Sequence, residues 1–136
     1  MGDRISIQFQ KGNYLSGVLY AHWDGMELKE RAIGYIELLV TESIIEFTKS
    51  GKHKVEMPLD RLEPDVVMAS FISEVIGQGK RLDSNYRVLE DADNCGDIND
   101  NGHHIIDIDK IEKTFWNAYN IGIDKRGEQL LEEVEN

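Results

Sequence analysis

Thiols are nearly absent from this chain, because Cys95 is the single cysteine among its 136 residues. One thiol forms no intramolecular disulfide and supplies no four-thiolate zinc site. Long apolar runs are absent too: no window approaches the roughly 18 consecutive apolar residues of a membrane span, and no segment has the layout of a signal peptide. We therefore expect a cytoplasmic protein that does not enter a membrane.

Basic residues are also scarce relative to acidic ones. Fifteen lysines and arginines stand against 26 aspartates and glutamates, which gives a formal net charge of -11. Such a balance repels the phosphate backbone of nucleic acids and anionic membrane surfaces. We therefore expect neither nucleic acid nor a membrane among the partners of this protein.

The length and composition fit one folded domain over residues 1–136. Hydrophobic residues make up 40% of the chain and charged residues 30%, which is ordinary for a globular protein and far from the range of disordered chains. A chain of this length buries one hydrophobic core, with little left over for a second.

The N-terminal segment predicts a β-hairpin. Residues 4–10 and 14–21 alternate polar and apolar side chains around the turn sequence Lys11-Gly12-Asn13. A register that pairs Gln10 with Tyr14 places the apolar residues on one face. The opposite face then gathers Arg4, Tyr20 and His22.

Two amphipathic helices follow the hairpin. Asp24, with Glu27 three residues later, predicts a capping box at the start of the first helix. The sequence leaves the C-terminal boundary of this helix undecided, because residues 40–47 suit either a helix or a short strand. Pro64 predicts the start of the second helix and Gly77 its C-terminal cap.

Two further strands are expected at residues 86–89 and 104–108, and residues 110–119 have no assigned state. Strands that come in pairs, with helices between the pairs, predict an α+β fold. We expect a mostly antiparallel sheet that starts with the N-terminal β-hairpin and is packed by two amphipathic helices.

The first candidate site lies where the hairpin leads into the first helix, a place where ligands are often held. The ligand-binding candidates are Tyr20, Trp23 and Asp24, and the catalytic candidates are His22, Arg4 and Asp3. His22 could act as a general base or as a metal ligand. The alternative is structural: Trp23 would pack in the core, Asp24 would cap the helix and His22 would form a local hydrogen bond.

The second candidate site is the acidic segment of residues 91–102, which is rich in oxygen donors. Residues 97–102 copy the first half of an EF-hand calcium loop, but Ile108 stands where the bidentate glutamate belongs and a strand follows, so an EF-hand is excluded. A looser divalent-cation site would use Asp93, Asp97, Asn99 and Asn101. The alternative is an exposed loop, because turns use the same residue types.

Two motifs resemble those of a family of uncharacterised archaeal, bacterial and phage proteins that open with M-G-[DN]-R and carry an S-H-W-G-G-like motif. Here they read Met1-Gly2-Asp3-Arg4 and Ala21-His22-Trp23-Asp24-Gly25. The resemblance extends over most of the chain to residue 109, although Ala21 replaces the serine and Asp24 the first glycine. It implies no activity, because none is established for the family.

Three functions compete at this point. The first is a small-ligand or divalent-cation-binding domain with its pocket at the mouth of the hairpin. The second is a hydrolase in which His22 acts as base or metal ligand and Arg4 steadies an oxyanion. The third is a non-enzymatic interaction protein that forms a homodimer through Phe115, Trp116 and Tyr119. The sequence does not decide whether the protein is an enzyme.

Overall fold

A computed structural model describes residues 2–49, 62–95, 100–115 and 117–118 of the chain. In chain order it contains strands β1 (Ile5–Lys11), β2 (Tyr14–Leu15) and β3 (Val18–Ala21), helices α1 (Glu27–Lys49) and α2 (Pro64–Phe71), a π-helical turn (Ile72–Ile76), strand β4 (Tyr86–Leu89), a 3₁₀ turn (Ala92–Cys95) and strand β5 (His103–Asp107). Helix α3 follows β5 directly and covers residues 108–115. The expected α+β class is confirmed.

The strands form one sheet around β1. The hairpin arm of β2 and β3 pairs antiparallel with one edge of β1, β5 pairs parallel with the other edge, and β4 pairs antiparallel with β3. The order across the sheet is therefore β5, β1, the β2–β3 arm and β4. The sheet is mostly antiparallel, as expected, and the β1–β5 pair is its parallel exception.

The expected hairpin register is wrong. Gln10 pairs with Leu15 rather than with Tyr14, and Ile5 pairs with Ala21. The pairing shifts by one residue at Ser16 and Gly17, which separate β2 from β3. Such an extra residue is a β-bulge, and alternation of polar and apolar residues does not reveal it in advance.

The hydrophobic core lies between one face of β1 and the two helices, which confirms the expected packing. The ring of Phe9 on β1 meets Phe71 of α2 edge to face at 5.9 Å between centroids, and Tyr35 of α1 meets Phe71 at 5.6 Å. Aromatic contacts of this kind add to the stabilisation from burial. The other buried residues at this interface include Ile5, Ile7, Leu28, Ala32, Ile36, Val67 and Met68.

The helices settle three points that the sequence left open or placed differently. Helix α1 continues without interruption to Lys49, which excludes the short strand. The second helix begins at Pro64 as expected but passes into the π-helical turn, where the Gly77 N–H donates to the Ile72 carbonyl at 2.7 Å. Residues 110–115 are helical.

The chain divides into two compact units. The first comprises Met1–Ile36 and Leu62–Asp109 and contains the whole sheet, and the second comprises Glu37–Arg61 and Lys110–Asn136, whose described residues are helical. The single domain over residues 1–136 stays a prediction. None of the helices that the structure describes combines the length and the apolar character needed to cross a membrane.

Candidate functional site

The first candidate site is built where the chain enters β1 and leaves β3. We call Gly2–Arg4 together with Tyr20–Gly25 the hairpin mouth. The Asp3 N–H donates to the His22 carbonyl at 2.8 Å, and the Gly25 N–H donates to the Asp3 carbonyl at 2.9 Å. Gly25 has φ 61°, and a Cβ there would collide with the Asp3 carboxylate, so this corner requires glycine.

His22 is the central side chain of the hairpin mouth. Its Nδ1 shares a hydrogen bond of 3.0 Å with the Tyr20 hydroxyl, and its ring meets the Trp23 indole edge to face at 4.6 Å between centroids. These two contacts fix the orientation of a half-buried imidazole. Within the described chain, the second ring nitrogen, Nε2, makes no hydrogen bond.

Gly2 lies next to this second ring nitrogen. A Cβ at Gly2 would stand 2.7 Å from His22 Nε2 and 2.7 Å from the His22 carbonyl oxygen. Side chains do not approach each other that closely, so any other residue at this position would displace the imidazole or the N-terminal segment. The glycine leaves the Nε2 side of His22 uncovered by a side chain from position 2.

Trp23 is exposed over 59% of its surface. This exposure contradicts the alternative in which Trp23 packs in the core, and it makes the indole accessible beside His22. A large aromatic side chain that is left exposed next to an oriented polar group is a common feature of binding surfaces.

Asp24 does not cap helix α1. Its carboxylate accepts hydrogen bonds from Asn85 Nδ2 at 2.8 Å and from the Tyr86 hydroxyl at 2.7 Å, and α1 begins only at Glu27. The capping-box prediction is therefore wrong, because tertiary partners from the β4 region occupy the carboxylate. Burial, followed by the hydrogen bond and the charge of Asp24, raises the pKa of Tyr86 above its usual range.

Asn85, which the sequence reasoning missed, holds this corner in place. Its Oδ1 accepts from the backbone N–H groups of His22 at 3.0 Å and Trp23 at 2.8 Å, while its Nδ2 donates to Asp24. One side chain thus contacts three consecutive residues of the candidate site. No local pattern around Asn85 signals this role, since its partners lie about sixty residues earlier in the chain.

Arg4 and Asp3 are both engaged by the segment that precedes β5. Arg4 Nε forms an ion pair of 3.0 Å with Asp100, and this guanidinium holds the pKa of the Asp100 carboxyl below its usual range. Asn101 Nδ2 donates to Asp3 Oδ1 at 2.6 Å and to the Arg4 carbonyl at 3.0 Å. The structure therefore brings the two candidate sites together at Asn101.

The divalent-cation site is described only in part, because Asp97 and Asn99 lie outside the described residues. Asp93 is exposed in the 3₁₀ turn, and the amide nitrogen of Asn101 serves Asp3 and Arg4. Among the residues that the structure describes, no three histidine, cysteine, aspartate or glutamate side chains are grouped as a metal site would require.

A buried polar network on the opposite face of β1 also escaped the sequence reasoning. Gln8 Nε2 donates to the Ser16 carbonyl at 2.7 Å, so its Oε1 faces His103 Nε2 at 3.2 Å and accepts that proton. His103 Nδ1 then accepts from the Ser6 hydroxyl at 2.7 Å. Ser6 is 0% exposed, so this hydroxyl and imidazole stabilise the β1–β5 pair rather than meet a substrate.

The neighbouring His104 points to the other side of β5. In the parallel register His103 pairs with Ser6 and His104 with Ile7, and His104 Nε2 contacts the Asn101 carbonyl at 2.6 Å. These adjacent histidines therefore lie on opposite faces of β5 and do not share a site.

No protein-family model, curated protein or solved structure matches this chain. The resemblance to the family that opens with M-G-[DN]-R therefore stays a prediction.

Proposed function

We propose that this protein binds a small polar ligand at the hairpin mouth. His22 Nε2 forms the directional hydrogen bond to the ligand, and the exposed Trp23 indole supplies the apolar contact surface. The observation that carries the proposal is an imidazole oriented through one nitrogen while the other makes no hydrogen bond in the described chain.

The geometry supports binding because the ligand contacts are already ordered. Tyr20 and Trp23 hold the imidazole ring, and Asn85 holds the backbone on which His22 and Trp23 stand. A site whose groups are fixed beforehand loses less conformational entropy when its ligand binds. An exposed histidine on a flexible loop would lack this advantage.

The same geometry gives the hydrolase hypothesis less support than it gives ligand binding. His22 has the orienting partner that a general base needs, but Arg4, the expected oxyanion group, is bound through Nε to Asp100. The Ser6 hydroxyl, which is paired with the His103 imidazole, is fully buried. We therefore place ligand binding ahead of catalysis.

The homodimer hypothesis through Phe115, Trp116 and Tyr119 gains no support, since Trp116 and Tyr119 lie outside the described residues. A divalent cation remains one class of ligand, because the unbonded nitrogen of an oriented imidazole is also a metal donor. Both organic compounds and divalent cations are therefore tested as ligands.

The experiment is a binding screen read from Trp23. A library of small polar heterocycles, and separately Mg²⁺, Ca²⁺ and Zn²⁺, is titrated while indole fluorescence and amide NMR shifts are recorded. We expect at least one probe to shift the His22 and Trp23 amide signals, and His22→Ala to abolish that shift in a protein that stays folded.

A matched pair of variants, Tyr20→Phe and Tyr14→Phe, removes the phenolic hydroxyl from two tyrosines. Tyr20→Phe is the test and Tyr14→Phe is its control. Tyr20 orients His22, whereas Tyr14 is 77% exposed at the hairpin turn. Tyr20→Phe should weaken binding by about 2- to 10-fold, which corresponds to one hydrogen bond, and Tyr14→Phe should leave binding unchanged. Shifts that persist in His22→Ala would refute the proposed site.

A further inference from the structure

Strand β4 forms an outer edge of the described sheet. Among the described strands it pairs with β3 alone, with Tyr20 opposite Arg87 and Val18 opposite Leu89. The His22 N–H donates to the Asn85 carbonyl at 2.9 Å, so residues 85, 87 and 89 direct their backbone groups toward β3. By the same alternation, the N–H and C=O of Val88 point away from the sheet.

The side chain at the centre of this edge is apolar and exposed. Val88 pairs with Leu19, which is completely buried, yet Val88 itself is 56% exposed. Within the described residues, the outer edge therefore presents the N–H and C=O of Val88 without hydrogen-bond partners, beside its exposed side chain. Edges of this kind readily accept another strand.

The charges along the edge indicate which strand it accepts. Arg87 lies in the strand, and the acidic residues Glu90 and Asp91 follow its end. An antiparallel copy of the same segment brings Arg87 toward the acidic end of the second strand. A parallel copy would instead align arginine with arginine and glutamate with glutamate, which is unfavourable.

We propose that two copies of this protein associate by antiparallel pairing of their β4 strands, with Val88 on the two-fold axis. In this register the Val88 N–H of each copy donates to the Val88 carbonyl of the other. The Tyr86 carbonyl of each copy faces the Glu90 N–H of the other, and the two valine side chains are in contact. This interface is independent of the ligand proposed for the hairpin mouth.

The association is weak and depends on concentration. Strand β4 has only four residues, and each copy carries a net charge of -11, so the two copies repel each other over the screening distance of about 8 Å in physiological salt. The dimer therefore forms at high protein concentration.

The test is sedimentation equilibrium of the full chain at about 0.15 M salt, from ~20 µM to ~1 mM protein, the range in which weak pairs become populated. The wild-type mass should rise from 15.6 kDa toward twice that value. Val88→Glu places two glutamates face to face on the axis, and Val88→Pro removes an N–H that the β3–β4 ladder does not use. Each should weaken association by at least about tenfold while the far-UV spectrum stays unchanged.

The matched control is Val66→Glu, which adds the same charge at a valine of α2 that is 54% exposed. Association that persists in Val66→Glu but is lost in both Val88 variants supports the β4 interface. A wild-type chain that stays monomeric over the whole range overturns the proposal. So does a dimer that survives Val88→Pro, or one that Val66→Glu weakens equally.

Discussion

Replacing Asn85 by alanine should destabilise the fold by about 2 to 4.5 kcal/mol. The Trp23 N–H loses its acceptor, a bond of 2.8 Å, which costs about 0.5 to 1.5 kcal/mol. The Asp24 carboxylate loses the Asn85 donor, a charge-assisted bond of 2.8 Å, which costs about 1.5 to 3 kcal/mol. The His22 N–H adds little, because it also donates to the Asn85 backbone carbonyl, which alanine retains.

The assay is urea unfolding followed by circular dichroism, in which the midpoint falls while the slope m stays constant. Asn13→Ala is the control, since it removes an exposed asparagine from the hairpin turn and should change stability by less than about 0.5 kcal/mol. A loss below about 0.5 kcal/mol for Asn85→Ala would refute the assignment of Asn85 as the residue that holds this corner.

Asn85→Asp separates the two contributions. The carboxylate still accepts from the two backbone N–H groups, but it replaces the donor to Asp24 with a second negative charge. The variant should be less stable than the wild type at neutral pH, and the gap should narrow as the pH falls and one of the two carboxyl groups takes up a proton. A gap that does not depend on pH would contradict this reasoning.

Three further changes probe other parts of the structure. Gly25→Ala should cost about 1 to 3 kcal/mol, because it forces a side chain into a left-handed backbone and against the Asp3 carboxylate, and thermal unfolding measures it. Ser16→Ala should cost about 1 to 3 kcal/mol, because the buried Phe9 N–H loses its hydrogen bond of 2.9 Å to Ser16 Oγ. Ser16→Thr keeps the hydroxyl and should lose less stability in the same urea assay. Burial, with a smaller contribution from the charge of His104, lowers the pKa of His103 below its ordinary value of 6.5. The folded state therefore favours the neutral ring, and the wild type should have its full stability above pH 6.5 and lose stability as the pH falls through the lowered pKa; His103→Asn should remove this part of the pH dependence in unfolding experiments.

Each of these three predictions has an outcome that would contradict it. A Gly25→Ala variant as stable as the wild type would mean that the corner relaxes without strain. Equal losses in Ser16→Ala and Ser16→Thr would assign the effect to packing rather than to the hydroxyl. An unchanged pH profile in His103→Asn would show that another group titrates in this window.

The sequence by itself determined most of the elements and indicated the region of the candidate site. Alternation at Ile5, Ile7 and Phe9 placed β1 in the core, and helical spacing of Leu28 and Ala32 placed the inner face of α1. The strand-to-helix corner at His22 was also predicted, because its unusual residue types stand next to each other in the chain. These features are local, and local periodicity is what a single sequence displays directly.

Only the tertiary structure decided the strand register and the hydrogen-bond partners of the candidate site residues. The even spacing of Leu15 and Leu19 predicts one shared face, but the bulge at Ser16 and Gly17 places Leu15 opposite Gln10 and Leu19 opposite Ile7, on different faces of the sheet, so periodicity does not detect it. Asn85 reaches His22 across 63 residues and His103 reaches Ser6 across 97. Side-chain contacts between segments so far apart depend on how the strands are ordered in the sheet, and that order is fixed by packing rather than by any local pattern.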